Sequence, residues 1–127
     1  MSPLNWTNLT SVEQFDELLE KSRTKPALVY KYRSNSPESI AIKKQLEEEW
    51  TIDKDMIDLY DLDEVADPDV CNEVTTNAGV DDEFPQVLLF ADGVTMYDES
   101  HEMINVKKIK IALKIINRTF KWMESRA

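Results

Sequence analysis

Few side chains in this sequence could act as nucleophiles. The chain contains one cysteine, Cys71, and one histidine, His101. A lone cysteine cannot form an internal disulfide, which favours a reducing compartment, and it excludes both zinc sites built from cysteine pairs and iron–sulfur clusters. Cys71 stands among Val70 and Val74 in a segment with helical apolar spacing. We therefore expect a buried, unreactive thiol rather than a redox centre.

The other candidate nucleophile is the hydroxyl of Ser36, which directly precedes Pro37. A hydrolase would pair this serine with His101 and with a glycine-rich turn that supplies oxyanion donors. No Gly-x-Ser-x-Gly pattern surrounds Ser36, and the chain has only two glycines. Serine is a preferred helix N-cap and proline fits the first helical position, so Ser36 is predicted to cap a helix. For His101 we expect a structural or exposed position, with an accessory role beside the site as the alternative.

Acidic residues dominate the charge of the chain, with 25 Asp and Glu against 15 Lys and Arg and a net charge of −10. Nucleic-acid binding is not expected, because phosphate contacts need clustered cations. The acidic run over residues 53–69 lacks the glycine of a calcium-binding EF-hand loop, so we predict no metal ion and no cofactor. Asp81, Asp82 and Glu83 stand just before Pro85, where they would repel anionic ligands.

The length of 127 residues, 42% of them hydrophobic and 31% charged, is typical of one globular domain, which we place over residues 1–127. No apolar run is long enough to span a bilayer. Residues 1–15 lack the basic start and the apolar stretch of a secretory signal. We therefore expect a cytoplasmic protein without a membrane partner.

Apolar spacing, capping residues and turn signals predict eight elements in the order αβαβαββα. Gly79 marks the end of the third helix, and Asp92-Gly93 is a strong hairpin turn. The helices are predicted at 12–21, 37–50, 68–78 and 106–124, and the strands at 27–32, 56–62, 86–90 and 94–97, with a further edge strand near Trp6. In the second helix, the apolar positions expected to face the core are Ile40, Ile42, Leu46 and Trp50, and those expected to face solvent are Lys43, Lys44 and Glu47 to Glu49.

Parallel strands need crossover helices, whereas an antiparallel pair needs only a tight turn, so this order predicts a mixed central sheet flanked by helices. It is the order of the thioredoxin-like α/β fold. In that fold, the turn before the second helix and a proline before the hairpin meet at one end of the sheet. Here these features are Ser36–Ser39 and Phe84-Pro85. The helix N-terminus would lower the pKa of a thiol placed there. The proline, often preceded by a cis bond, keeps the neighbouring backbone free to pair with an extended partner chain.

From about Trp6 to Ile116 the chain resembles the monothiol bacilliredoxin-like proteins of the thioredoxin superfamily. The matching residues are Lys31 at the end of its strand, Pro37 and Ser39 in the family's Cys-Pro-x-Ser segment, Phe84–Gln86 in its Ser-Pro-Gln segment, the Asp92-Gly93 turn, and Ser100-His101 in its Ser-His pair. The resemblance implies thiol–disulfide exchange that removes bacillithiol from modified protein thiols.

The sequence departs from this family at the position of the nucleophilic cysteine, which holds Ser36, and Tyr32 and Arg33 replace the preceding His-Ser pair. A hydroxyl does not ionise near neutral pH and cannot form a disulfide, so Ser36 and Ser39 mark a degenerate site. We therefore predict a redox-inactive protein whose former active-site face, lined by Ser36, Pro37, Phe84 and Pro85, binds a protein partner. Bacillithiol carries carboxylates, so the acidic residues before Pro85 weaken the case for it as a ligand.

Two alternatives remain open at this stage. Ser36 is either natural or an engineered change from cysteine, and in the second case the protein is an authentic monothiol bacilliredoxin.

The last helix supports the other alternative, a structural partner protein, because it carries two apolar stripes and a helix apolar on two sides normally has both covered. Homodimerisation through the second stripe is therefore a hypothesis. The core stripe is predicted to contain Ile109, Ala112, Leu113, Ile116, Phe120 and Met123, and the second stripe Ile111, Ile115 and Trp122.

Overall fold

The computed structural model describes residues 4–126, with side chains over residues 4–119. Its strands form one five-stranded sheet in the order β1-β3-β2-β4-β5, in which β2 is parallel to β3 and antiparallel to β4. The predicted α/β order is confirmed, including the edge strand. The elements are β1 (Thr7–Asn8), α1 (Val12–Lys21), β2 (Ala27–Tyr32), α2 (Pro37–Glu49), β3 (Asp58–Asp63), α3 (Pro68–Ala78), β4 (Gln86–Ala91), β5 (Val94–Ser100) and α4 (Val106–Arg126), with 3₁₀ turns at Lys54–Met56 and His101–Met103.

Local capping chemistry explains where the helices begin and end. The Ser11 hydroxyl accepts the Gln14 N–H at 3.1 Å at the start of α1. The Gln14 side chain accepts in turn from the N–H of Thr10, one residue earlier than the capping-box pattern predicts. Asn105 caps α4 through its side-chain oxygen. Gly79 ends α3 with a φ of +68°, a conformation that glycine adopts without strain.

The core consists of two layers, one on each face of the sheet. Because side chains alternate along a strand, Leu28 and Leu89 pack under α2 and α4, whereas Val29 and Leu88 pack under α1 and α3. Strands β2 and β4 are buried almost throughout, which explains their continuous apolar sequences. The ends of these two strands therefore sit at fixed positions above a packed core.

Helix α2 is rotated relative to the sequence prediction. Ile40, predicted to be apolar core, has 53% of its surface exposed. Lys43, predicted to face solvent, is partly buried and donates to Asp61 at 2.8 Å. Buried Ser39 and Leu46 explain the rotation, because spacings of four and three residues place 39, 43 and 46 on one helix face.

The second apolar stripe of α4 stays exposed, as Ile111 and Ile115 show 56% and 59% of their surface. Ile109, Leu113 and Ile116 of the first stripe are buried against the sheet. The side chains of Phe120, Trp122 and Met123, predicted for the two stripes, lie outside the described residues. Homodimerisation therefore stays a prediction. Among the helices of the described chain, none is long and apolar enough to cross a membrane.

Candidate functional site

Three segments meet at the end of the sheet where β2 finishes. The first leads from β2 into α2 at Ser36, the second precedes β4 at Phe84 and Pro85, and the third follows β5 at His101. The backbone N–H of His101 donates to the carbonyl of Pro85 at 3.0 Å, which joins the second and third segments. The His101 side chain also contacts Glu38 in the first turn of α2, which joins the first and third segments, and the binding role of these residues stays a prediction.

Ser36 and Ser39 use their hydroxyls to hold the backbone. Ser36 is extended and caps α2, and its Oγ accepts the N–H of Ser39 at 3.3 Å. Pro37 occupies the first helical position, as predicted. Ser39 is fully buried, its Oγ accepts the N–H of Arg33 at 3.3 Å, and its carbonyl accepts the Tyr30 hydroxyl at 2.6 Å. Capping and loop anchoring therefore account for both serines.

The peptide between Phe84 and Pro85 is cis, and Pro85 is buried. Two cations lie over the ring of half-buried Phe84, with the Lys31 ammonium 4.7 Å and the Arg33 guanidinium 4.3 Å from its centre. Such contacts attract because the face of an aromatic ring is electronegative. Within residues 4–119, the N–H and C=O of Phe84 form no hydrogen bond.

Lys31 anchors the loop before β4 from inside the protein. Its side chain is fully buried, and the ammonium donates to the Thr75 hydroxyl at 2.6 Å and to the Asp82 carboxylate at 3.0 Å. A buried ammonium needs such partners, because desolvation of an unpaired charge is costly. Sequence reasoning assigned Lys31 no such role. The available signal was a single lysine inside an otherwise apolar buried strand.

His101 joins two carboxylates on opposite sides of the site. Its Nδ1 lies 3.1 Å from Glu38 in the first turn of α2, and its Nε2 lies 2.7 Å from Glu83 in the loop before β4. Hydrogen bonding to Glu83 and then to Glu38 raises the pKa of His101 above 6.5. An ionised carboxylate only accepts hydrogen bonds, so both contacts are satisfied when the ring carries two N–H groups. The imidazolium therefore fits this position better than the neutral ring.

The sequence model of the monothiol bacilliredoxin BrxC family matches residues 7–109. The chain belongs to the monothiol bacilliredoxin family. No curated protein matches its sequence. The family match covers Ser36, Phe84, Pro85 and His101 and confirms the resemblance deduced from the sequence.

Solved structures similar to this chain have the thioredoxin fold. One, described as a candidate oxidoreductase with that fold, is 25% identical with a TM-score of 0.71, and the match covers 83% of this chain and 90% of the other. The thioredoxin of Malassezia sympodialis is 15% identical with a TM-score of 0.69, covering 91% and 94%. The thioredoxin of Trypanosoma brucei brucei is 15% identical with a TM-score of 0.67, covering 93% and 95%.

The only thiol of the chain lies on α3 and not at the N-terminus of α2. Cys71 is buried beside Val70 and Val74, as predicted. Burial raises its pKa to about 12, and the positive charge of Lys31 offsets only part of that effect. The thiolate is the reactive form of cysteine, so burial and the raised pKa both oppose reaction of Cys71 near neutral pH.

Two of the carboxylates of the site pair with cationic side chains of the protein. Across the described residues, no group of three His, Cys, Asp or Glu side chains is arranged to hold a metal ion. The acidic residues near Pro85 serve other contacts instead, since Asp82 pairs with Lys31 and Glu83 with His101.

Proposed function

We propose that this bacilliredoxin-family protein performs no thiol–disulfide exchange and instead binds extended segments of partner proteins. The binding face is lined by Ser36, Pro37, Phe84 and Pro85. The observation that carries the proposal is the identity of the α2 N-cap. The residue there is Ser36, at the position that the family resemblance assigns to the nucleophilic cysteine, and its hydroxyl caps the helix.

The chemistry of exchange explains why this serine matters. A disulfide is opened by a thiolate, which forms a mixed disulfide with one of the two sulfur atoms. A serine hydroxyl remains protonated near neutral pH, and an oxygen at position 36 cannot take part in a disulfide. Cys71 supplies no substitute, because it is buried and its pKa is raised to about 12.

The surroundings of the site support binding of a protein segment. An extended chain can hydrogen-bond to the free N–H and C=O groups of Phe84. Ile40 and Met103 are 53% and 49% exposed on the α2 side of the same end and offer apolar contacts. Glu38, Asp82 and Glu83 outnumber their partners Lys31 and His101, and the negative balance that remains disfavours the carboxylates of bacillithiol.

Photo-crosslinking tests the location of partner binding. The photoreactive residue p-benzoylphenylalanine is introduced at exposed Pro37 and, as a control, at exposed Glu73 on α3. We expect discrete protein adducts in cell extract from position 37 only. Their absence at position 37, or equal adducts from position 73, would contradict the proposed binding face.

A second candidate function is thiol–disulfide exchange by an authentic bacilliredoxin in which Ser36 replaces cysteine. The observation that favours it is the intact helix cap, since the Ser39 N–H and the α2 dipole would stabilise a thiolate at position 36. Replacement Ser36→Cys separates the two candidates. A depressed thiol pKa with rapid exchange on bacillithiol mixed disulfides supports the enzyme, and an ordinary inert thiol supports the binder.

Self-association through α4 is a separate proposal and rests on the exposed side chains of Ile111 and Ile115. Light scattering over a range of protein concentrations tests it. A monomer mass that is independent of concentration would contradict it.

We further propose a cytoplasmic location. Membership of a monothiol family and the presence of a single cysteine both fit a reducing compartment.

A further inference from the structure

One side chain spans the two walls of the proposed binding face. Pro37 at the start of α2 belongs to one wall, and Phe84 in the loop before β4 belongs to the other. Glu38 directly follows Pro37, and Glu83 directly precedes Phe84. The His101 ring lies between these two carboxylates, with Nδ1 3.1 Å from Glu38 and Nε2 2.7 Å from Glu83. The ring therefore links the two walls through the residue next to each of them.

The backbone holds the base of the His101 side chain in place. The N–H of His101 donates to the carbonyl of Pro85 at 3.0 Å, and its carbonyl accepts the N–H of Ile104 at 3.1 Å. Its φ of +56° lies in the left-handed region, which few residues other than glycine adopt. Neither backbone contact involves the ring, so the attachment point of the ring is the same whatever its charge.

The number of protons on the ring decides how many carboxylates it can bind. The imidazolium has two N–H donors, whereas the neutral ring has one donor and one acceptor nitrogen. Glutamate side chains are ionised over the pH range in which histidine titrates, and ionised carboxylates only accept hydrogen bonds. The neutral ring thus keeps one contact and sets a nitrogen lone pair against the other carboxylate. Because the contact with Glu83 is the shorter one, the contact with Glu38 is expected to open.

The other groups around His101 do not relieve this conflict. The end of α3 contributes Gly79 and strand β4 contributes Gln86 to the recess beside the ring, and neither carries a charge. The charged groups that contact the ring or share its recess and its turn are Glu38 on α2, Asp81 and Glu83 on the loop before β4, Asp98 on β5, and Glu102 on the 3₁₀ turn itself. All of these groups are carboxylates, so none donates a hydrogen bond to the neutral ring.

We propose that His101 is a positioning residue that acts as a proton-controlled latch between the two walls of the binding face. The imidazolium holds Glu38 and Glu83 together and ties α2 to the loop before β4. When the proton leaves Nδ1, the Nε2–H stays with Glu83 and the Glu38 side chain is released. A face that is already fixed loses less freedom on binding, so the protonated state binds a partner more tightly. This effect on binding rests on the proposed function, whereas the latch itself does not.

NMR of the ring and of the side chain at position 38 tests the latch without any partner. His101 is the only histidine, so its ring signals are identified directly, and their pH titration gives the folded pKa. In the parent protein, NOEs between Glu38 and the ring should be present below that pKa and lost above it, where the ring ¹⁵N shifts should show the Nε2–H tautomer. NOEs retained by the neutral ring, NOEs absent from the imidazolium, or a neutral ring with its proton on Nδ1 would each overturn the latch.

Two variants of α2 separate the latch from a general effect of pH. Glu38→Gln places an amide beside the ring, and since an amide both donates and accepts, it can bind Nδ1 in either protonation state. Its NOEs to the ring should therefore persist above the pKa of His101. Glu48→Gln removes the same charge from an exposed position on the same helix and should behave like the parent. Loss of the NOEs in neutral Glu38→Gln, or their retention in neutral Glu48→Gln, would contradict the latch.

Photo-crosslinking from position 37 measures the effect of the latch on partner binding. In the parent protein, the yield of adducts should fall by about two- to fivefold when His101 loses its proton, the range of an exposed ion pair. Glu38→Gln should remove this pH dependence, and Glu48→Gln should keep it. A parent yield that does not change with pH would overturn the positioning role. Absence of adducts at every pH, with the NOE pattern intact, would instead refute the proposed binding face and leave the latch standing.

Discussion

Replacement of Ser36 by alanine tests whether the hydroxyl at this position serves the fold. In the structure, Ser36 Oγ is the acceptor for the Ser39 N–H at 3.3 Å, in the first turn of α2. Alanine leaves that N–H without its side-chain acceptor. Loss of an N-cap typically costs about 1 kcal/mol. For a domain of this size, such a loss corresponds to a fall in Tm of about 3–5 °C.

Thermal and urea unfolding of three variants measure this effect. Ser34→Ala is the matched control, because Ser34 is exposed and contacts Asp63 through its backbone N–H and not through its hydroxyl. Ser36→Asp retains an acceptor and adds a charge that the helix N-terminus favours, so it should be close to the parent protein in stability. Unchanged stability of Ser36→Ala, or an equal loss in Ser34→Ala, would refute the capping role.

Three further predictions concern the charged and thiol groups around the site. The pKa of His101 is raised on folding, so its ion pairs stabilise the protein at pH values below its ordinary pKa of 6.5, and this contribution is lost as the pH rises through the folded value. The difference in stability between the parent protein and His101→Gln should therefore close over that interval. A difference that does not depend on pH would contradict the stabilising role of these ion pairs. Asp82→Asn leaves the buried Lys31 ammonium without its counter-ion and should cost about 1–3 kcal/mol in urea unfolding, more than the same change at exposed Asp69. Cys71 should resist alkylation in the native protein and react rapidly after unfolding, so fast labelling of the native state would contradict its burial.

The order of elements was accessible from the sequence because local signals specify it. Ser36 before Pro37 marks the start of α2, Gly79 marks the end of α3, and Asp92-Gly93 closes the hairpin with positive φ angles. Each signal acts within a few residues of the chain. The predicted meeting of Ser36 with Phe84-Pro85 then follows from the topology of the sheet.

Contacts between distant segments were not accessible in this way. Glu38 and His101 are 63 positions apart, and their pairing depends on how the 3₁₀ turn after β5 packs near α2. The rotation of α2 that buries Lys43 depends on Asp61 of a neighbouring strand, which no pattern within the helix reveals.

The release of bacillithiol from a bacillithiolated protein, followed by mass spectrometry, tests the proposed loss of exchange chemistry most directly. The protein should release no bacillithiol above the uncatalysed rate, and Cys71→Ala should behave identically, because Ser36 offers no thiolate and Cys71 is buried. Catalytic release by the protein with Ser36 in place would contradict the proposal.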